Sequence, residues 1–172
     1  CGIKLSDEKL DLIASKTGSD VFFFQHCDDE GKGCALVSGR GEVVKKIIPR
    51  YDLFLLLIFP KVSSSTKEAY DLVDKYLAKK DNVKGPGLAE LEDVYRKAVN
   101  QWNFVNTFTP ALSKKYKEIE AALIDLKKVG SEYVEMSGSG STVFGVSTLE
   151  QQAINSYNLL AEFWNCKVVR VV

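Results

Sequence analysis

The chain has 172 residues, and its 23 Lys plus Arg balance its 23 Asp plus Glu, so its formal net charge is zero. Such a balance supplies no net field that would attract nucleic acid or an anionic membrane. Apolar residues make up 45% of the chain, and the longest apolar run, Leu53–Pro60, is far shorter than a membrane-spanning helix requires. The composition therefore predicts a soluble globular protein of one domain or slightly more, with neither nucleic acid nor a membrane as partner.

Histidine and cysteine usage narrows the chemistry further. The single histidine, His26, excludes a metal site built from several histidines and leaves little room for a Ser-His-Asp triad. We therefore expect no metal site, and we expect any general base to be a carboxylate. The four cysteines match neither C-x-x-C spacing nor a dense disulfide scaffold, which favours reduced thiols in a cytoplasmic protein. The chain starts at Cys1 and its only methionine is Met136, so we expect a fragment of a longer protein.

The first 48 residues predict one helix and three short strands. Ser6-Asp7-Glu8 is typical of a helix N-terminus, and apolar residues at helical spacing continue that helix to Lys16. Gly18-Ser19-Asp20 ends the helix. The predicted strands are Val21–Gln25, Cys34–Ser38 and Val43–Ile48. These elements do not complete a fold, so residues 1–48 are interpreted as the tail of a preceding domain.

A second domain is predicted over residues 49–172. Leu53–Phe59 is apolar throughout, as a central strand covered on both faces should be. From there the order is β, α, β, β, α, β with two extra helices, which predicts an α+β, ferredoxin-like (split βαβ) fold with helices on one face of an antiparallel sheet. The remaining elements are a helix from the N-cap Thr66 to about Lys79, a linker over Lys80–Pro86, helices Leu88–Asn103, Pro110–Val129 and Leu149–Trp164, and strands Tyr133–Met136, Thr142–Val146 and Cys166–Val172.

The loop Ser137–Thr142 is the most unusual segment, because two glycines and several hydroxyl residues separate two apolar strands. Glycine permits positive φ and lets backbone N–H groups approach a ligand closely, so such a turn can hold an anion. The alternative is a loop that only reverses the chain. The Walker spacing is not matched, since no lysine follows the second glycine.

Two other loops carry chemistry of the same kind. Ser63–Thr66 lies just before a helix, whose N-terminus offers N–H groups and a positive dipole end to an anion. Asp20 precedes an apolar run, where a carboxylate could accept the proton of a hydroxyl in phosphoryl transfer. The alternative role of Asp20 is to cap a turn. We expect these two loops and the loop Ser137–Thr142 to meet at one place.

Four motifs, in the right order, resemble the GHMP superfamily of small-molecule kinases. Gly18-Ser19-Asp20-Val21-x-Phe23-Phe24 is similar to the family segment G-[SA]-D-V-P-[FV]-F, and Gly39-Arg40-Gly41-Glu42 is similar to its G-x-G-E turn. Phe59-Pro60-x-Val62 followed by Thr66-Lys67-Glu68-Ala69-Tyr70 resembles P-G-V-x-V-S-T-x-x-[AV]-[YF], and Met136–Phe144 resembles the third motif. The resemblance spans residues 5 to about 170. It favours the branch that phosphorylates a cytidylyl methylerythritol over homoserine or mevalonate kinases.

The resemblance implies an enzyme that uses ATP and Mg²⁺ to phosphorylate the 2-hydroxyl of 4-(cytidine-5'-diphospho)-2-C-methyl-D-erythritol, in non-mevalonate isoprenoid precursor synthesis. In such kinases the aspartate at the position of Asp20 is the catalytic base. Carried over, Ser65 and Thr66 would hold the substrate and Tyr70 would stack on its cytosine. Three loop residues would also contact this substrate: Ser139, Gly140 and Ser141. Three would lie near the ATP phosphates: Ser137, Gly138 and Thr142.

The sequence also departs from the family pattern. Phe22 stands where the family has proline, and Asn106-Thr107-Phe108 stands where it has Asn-Asp-Phe. The family's glycine-rich ATP loop and catalytic lysine belong to an N-terminal half that this sequence does not contain. We therefore expect the chain to be inactive alone and to need that half as its partner. The alternative, from another class, is a non-catalytic module that binds a small ligand or a partner on a ferredoxin-like scaffold.

Overall fold

The computed structural model describes residues 5–63, 65–78 and 85–171. The chain divides into two compact units, one extending to Arg50 and the other spanning Tyr51–Val171. The end predicted for one helix, at Lys79, and most of the predicted linker Lys80–Pro86 lie outside the described residues.

The first unit consists of two helices and a hairpin. Helix α1 spans Asp7–Thr17 and helix α2 spans Val21–Gln25. Strands β1 (Ala35–Ser38) and β2 (Val43–Lys46) lie within the predicted strands Cys34–Ser38 and Val43–Ile48, and they pair in antiparallel fashion. The turn between these strands brings Gly41 close to the loop between the two helices.

The prediction of a strand at Val21–Gln25 is wrong, because these residues form helix α2. Strand propensity largely measures how well side chains pack on a sheet, and a five-residue apolar run does not by itself distinguish strand from helix. Here one helical turn buries Phe22 and leaves Phe24 68% exposed. Asp20 takes the N-cap position of this helix, but its side chain makes no capping hydrogen bond.

The second unit is built on a four-stranded antiparallel sheet. The strands are β3 (Phe54–Ile58), β4 (Tyr133–Met136), β5 (Val143–Ser147) and β6 (Cys166–Arg170). Their order is β4-β5-β3-β6, and every neighbouring pair is antiparallel. The predicted α+β, ferredoxin-like arrangement is confirmed, with β3 at a central position.

Both faces of β3 are covered, as its continuous apolar sequence predicted. Side chains alternate between the faces of a strand. Leu56 and Ile58 accordingly join the main core, whereas Leu53 and Leu55 join a second, smaller cluster. The main core is completed by four helices: α3 (Thr66–Leu77), α5 (Thr109–Lys115), α6 (Lys117–Lys128) and α7 (Glu150–Leu160).

Two of the predicted helices are interrupted. Leu88–Asn103 is instead a 3-10 turn (Leu88–Glu90), helix α4 (Leu91–Arg96) and a second 3-10 turn (Val99–Gln101). The break lets Val99 and Trp102 pack in the second cluster, so this segment does not share the main core with the other helices. Pro110–Val129 divides at Tyr116, whose backbone is extended and whose hydroxyl donates to Glu68. None of the helices within the described residues combines the length and apolar character of a membrane span.

Candidate functional site

The glycine-rich loop between β4 and β5 closes on itself. Ser137 N–H donates to the Thr142 carbonyl at 2.9 Å, and Gly140 N–H donates to the Ser137 carbonyl at 3.0 Å. Gly138 has φ +53° and Gly140 has φ +85°, backbone conformations that residues other than glycine rarely adopt. Both glycines therefore take the positive φ that made glycine informative in this loop. Ser139 and Ser141 are half-buried within it.

One serine joins this loop to the loop that follows β3. The Ser141 hydroxyl lies 3.0 Å from the Val62 carbonyl oxygen and 3.5 Å from that of Pro60. The loop Ser137–Thr142 is thus hydrogen-bonded to residues just before Ser63–Thr66, and the meeting of these two loops themselves stays a prediction. The Ser141 hydroxyl hydrogen is engaged by the protein backbone in this arrangement.

The start of helix α3 differs by one residue from the prediction. Ser65, not Thr66, is the N-cap, because its backbone is extended and its Oγ accepts from Glu68 N–H at 3.1 Å. A side-chain oxygen at this position satisfies one of the unpaired N–H groups of the first turn. Thr66 becomes the first helical residue, and both side chains are exposed.

Tyr70 presents an open aromatic surface one turn into α3. Its side chain is 57% exposed. The ring meets Phe108 edge to face, with ring centroids 5.0 Å apart and planes at 84°. Phe108 in turn packs against the main core. The Phe108 ring therefore supports Tyr70 on one side, and the exposed surface of Tyr70 is free for a flat group to stack on.

Asn106 is a site residue whose role the sequence did not reveal. Its Nδ2 donates to the carbonyls of Met136 and Gly138, both at 2.8 Å. Its Oδ1 accepts from Phe108 N–H at 2.9 Å. The motif Asn106-Thr107-Phe108 was the available signal, but an asparagine in an irregular segment has no periodicity that would indicate its partners.

A carboxylate fixes the segment that carries Asn106. Glu135 Oε2 accepts from Asn106 N–H at 3.2 Å, and its Oε1 accepts from the Thr109 hydroxyl at 2.5 Å and from Met136 N–H at 2.9 Å. Hydrogen bonds to an ionised acceptor are the stronger kind. Glu135 on β4 thus holds the segment before α5 beside the entrance to the glycine-rich loop.

An ion pair connects the first turn of α3 to the end of α5. Lys115 Nζ contacts Glu68 Oε1, and the Tyr116 hydroxyl donates to Glu68 Oε2 at 3.0 Å. The hydrogen bond from Lys115, followed by that from Tyr116, lowers the pKa of Glu68, and the same bond to Glu68 raises the pKa of Lys115. Both side chains reach solvent, so the ion pair contributes little to stability.

The two motif turns of the first unit pack tightly against each other. Gly41 has φ +108°, and a Cβ there would lie 2.1 Å from the Ser19 carbonyl oxygen. The turn after β1 therefore supports the backbone immediately before Asp20. Asp20 itself is exposed. Its expected approach to the two loops of the second unit stays a prediction.

The glycine positions of the loop give a matched pair of stability tests. A Cβ at Gly140 would lie 2.9 Å from Met136 Sδ and 3.3 Å from Leu112 Cδ2, whereas a Cβ at Gly138 would meet nothing within 4 Å. We expect Gly140→Ala to lower the free energy of unfolding by about 2–4 kcal/mol, from strain and overpacking together. Gly138→Ala carries backbone strain alone and should cost about 1–2 kcal/mol. Urea unfolding of both variants measures the difference, and equal losses would contradict the close packing of Gly140.

The family comparison covers one part of the candidate site. Residues 88–166 match the family model described as GHMP kinases C terminal. Residues 88–166 are thus similar to the C-terminal domain of GHMP kinases. Asn106, Glu135 and the glycine-rich loop all lie inside this range, and the resemblance stated from the sequence motifs is confirmed.

Similar proteins extend the match beyond residues 88–166. The 4-diphosphocytidyl-2-C-methyl-D-erythritol kinase of Treponema pallidum (strain Nichols) is 31% identical over 176 residues, covering 99% of this chain and 58% of that protein. The kinase of the same name from Bacillus pumilus is 32% identical over 162 residues, covering 94% of this chain and 53% of that protein. The chain therefore spans about half the length of the curated relatives it matches.

A solved structure shows the same fold. The crystal structure of a 4-(cytidine 5'-diphospho)-2C-methyl-D-erythritol kinase superimposes with a TM-score of 0.69 at 22% sequence identity. The match covers 92% of this chain and 55% of that one. Most of this chain thus shares its fold with that kinase.

Proposed function

We propose that this chain is the C-terminal, substrate-binding portion of a kinase that transfers a phosphate from ATP to the 2-hydroxyl of 4-(cytidine-5'-diphospho)-2-C-methyl-D-erythritol. The names of the relatives support this substrate. The observation that carries the proposal is the connection of two different binding surfaces through one short segment. Asn106–Phe108 contacts both the glycine-rich loop and Tyr70.

The two surfaces suit the two ends of a cytidylyl sugar alcohol. Tyr70 would stack on the cytosine, and stacking on an aromatic ring is a general way to bind a flat base. Ser65 and Thr66 would contact the same substrate from the start of α3. Three residues of the glycine-rich loop would complete its contacts: Ser139, Gly140 and Ser141.

The exposed side of the glycine-rich loop is where we place the ATP phosphates. A Cβ at Gly138 would meet no atom within 4 Å, so the backbone there is open to a ligand. Ser137 is exposed beside it, and Thr142 ends the loop. Small side chains and positive-φ glycines allow an anion to approach the backbone closely. Ser137, Gly138 and Thr142 would therefore lie near the phosphates.

Asp20 is the residue to which we assign the role of general base. As the acceptor oxygen forms its bond to the transferred phosphorus and the bond to ADP breaks, the hydroxyl proton would pass to the Asp20 carboxylate. Such catalysis depends mostly on positioning and on electrostatic stabilisation of the transferred group. A base at this position contributes by holding the hydroxyl in line and removing its proton.

The residues that the structure describes do not form a cage for Mg²⁺. Within the described ranges, no three or more His, Cys, Asp or Glu side chains lie where they could hold a metal ion. Mg²⁺ commonly binds through nucleotide phosphates with only one or two carboxylates. We therefore associate Mg²⁺ with ATP and assign no step to a metal held by this chain.

The remaining parts of the kinase belong, in this proposal, to a preceding half of the protein. The relatives are about twice as long as the matched region, which leaves room for the glycine-rich ATP loop and the catalytic lysine. Residues 1–48 would be the tail of that ATP-binding domain, and residues 49–172 the substrate domain. The chain alone would then be inactive, and the whole enzyme would act in the cytoplasm in isoprenoid precursor synthesis.

A phosphorylation assay of the full-length protein tests this function. With ATP and Mg²⁺, the cytidylyl methylerythritol should be phosphorylated, whereas homoserine and mevalonate should not. Turnover of homoserine or mevalonate instead would assign the protein to another GHMP kinase. Binding of the cytidylyl compound without turnover would favour the alternative of a non-catalytic binding module.

Tyr70→Ala should weaken substrate binding in that assay. Loss of a base stack costs ~1–3 kcal/mol, which corresponds to an increase of about 5–150-fold in KM for the cytidylyl substrate. Tyr70→Phe should retain most of the affinity because the ring remains. Tyr51→Ala removes a tyrosine of similar exposure, 56%, and is the matched control. An unchanged KM in Tyr70→Ala would show that cytosine does not stack there.

A further inference from the structure

We infer that Asn106 is a positioning residue that holds the glycine-rich loop and the support of Tyr70 in one fixed geometry. This inference rests on the proposed function, because it assigns those two surfaces to the methylerythritol end and the cytosine end of one substrate. Asn106 itself contacts the protein rather than the reacting atoms, so it acts through the groups that it holds.

Both Nδ2 hydrogens and the Oδ1 atom of the Asn106 side chain make hydrogen bonds within the protein. Its Nδ2 donates to the carbonyls of Met136 and Gly138, which lie on either side of Ser137 at the entrance to the loop. Its Oδ1 accepts from Phe108 N–H. A single planar amide group therefore fixes the loop on one side and the Phe108 backbone on the other.

The backbone of Asn106 is held as well. Its N–H donates to Glu135 Oε2 at 3.2 Å, and its carbonyl accepts from Thr109 N–H at 3.1 Å. The side chain is half-buried, so the competing hydrogen bonds of water are reduced. The Asn106 backbone is thus bound to strand β4 and to the start of α5, while its side-chain amide binds the loop.

The contact with Phe108 extends the effect to Tyr70. Phe108 lies edge-on to Tyr70 at 5.0 Å between ring centroids. A shift of the Phe108 backbone would therefore tilt the surface on which the base is proposed to stack. Through Asn106, the loop and the aromatic pair cannot move independently of each other.

The chemistry of the amide explains why asparagine occupies this position. Only an amide of this length presents two N–H donors and one acceptor in a plane. In Asn106→Asp the carboxylate could still accept from Phe108 N–H, but its other oxygen would face the two carbonyls at the 2.8 Å that Nδ2 now spans. Asn106→Asp thus releases the loop and keeps the support of Tyr70, whereas Asn106→Ala removes both.

The two variants should therefore differ in steady-state kinetics of the full-length protein. Misplacement of a positioning group by about 1 Å can cost 10²-fold in rate. We expect Asn106→Asp to lower kcat by about 10–100-fold, with a smaller rise in KM for the cytidylyl substrate than in Asn106→Ala, because the support of Tyr70 remains. Asn106→Ala should show a similar loss in kcat together with a clear rise in KM. Amide hydrogen exchange over residues 137–142 should be faster in both variants.

Two control variants separate positioning from loss of stability. The buried Ser156 hydroxyl donates to the Val129 carbonyl at 3.1 Å. Ser156→Ala removes this hydrogen bond and should lower Tm without altering kcat or KM. Asn103→Ala makes the same chemical change at an exposed position of the same segment and should behave as the wild type.

The outcomes distinguish failure of this inference from failure of the proposed function. An inactive wild-type protein would contradict the function, whereas an active wild type with unchanged kinetics in folded Asn106→Asp would overturn the positioning role. Equal protection of residues 137–142 against exchange in wild type and variant would overturn it as well. Asn106→Ala, which introduces no charge, carries the same test if Asn106→Asp does not fold.

Discussion

Asp20→Asn in the full-length protein is expected to lower kcat by about 10²–10⁴-fold with KM little changed, as is typical when a general base is lost. Asparagine preserves the shape of the side chain but cannot take up the proton of the acceptor hydroxyl. Asp20 is exposed and makes no capping hydrogen bond at the start of α2, so the substitution should leave stability nearly unaltered. Steady-state kinetics and thermal unfolding of the same preparation test both statements.

Asp29→Asn is the matched control for this experiment. Asp29 is another exposed carboxylate of the first unit, and removing its charge should leave kcat and KM at wild-type values. Near-wild-type turnover in Asp20→Asn would remove Asp20 from the role of base. A drop in Tm large enough to explain the loss of activity by unfolding would assign Asp20 a structural role instead.

Gly41→Ala should cause the largest loss of stability among the substitutions considered. The new Cβ would lie 2.1 Å from the Ser19 carbonyl oxygen and 2.8 Å from its carbonyl carbon, and both atoms are backbone. No flexible side chain can give way there, and φ at Gly41 is +108°. Strain and overpacking together should lower the free energy of unfolding by about 3–5 kcal/mol. Because Ser19 directly precedes Asp20, kcat of the protein that remains folded should fall as well.

Gly31→Ala separates the cost of backbone strain from the cost of overpacking. Gly31 has φ +77° and nothing within 4 Å of an added Cβ, so its substitution carries backbone strain alone, about 1–2 kcal/mol. Denaturant unfolding of the two variants compares them directly. Similar losses in Gly31→Ala and Gly41→Ala would show that the contact between the two turns is not required.

Features that depend on neighbouring residues could be predicted from the sequence. The apolar run of β3 indicated a central strand with both faces covered, and its side chains do divide between two clusters. The glycines of Ser137–Thr142 indicated a turn with positive φ, which Gly138 and Gly140 adopt. These features follow from backbone sterics and side-chain alternation, both of which act over a few residues.

Features that depend on distant residues could not be predicted in this way. Helix α5 ends where Tyr116 turns toward Glu68, 48 residues earlier in the chain. Asn106 finds its partners 29 to 32 residues away, on β4 and in the glycine-rich loop. Val21–Gln25 has strand-like composition, yet it becomes helical in its context. In each case tertiary contacts override the local preference of the sequence.

The most direct test of the account is a crystal structure of the full-length protein with the cytidylyl methylerythritol and a non-hydrolysable ATP analogue. We expect the Asp20 carboxylate at hydrogen-bond distance, about 2.6–3.2 Å, from the acceptor hydroxyl. The loop Ser137–Thr142 should lie against the phosphates, and Tyr70 should stack on the cytosine. A substrate bound by the loop with Asp20 on the opposite side of the molecule would contradict a single phosphate-transfer site.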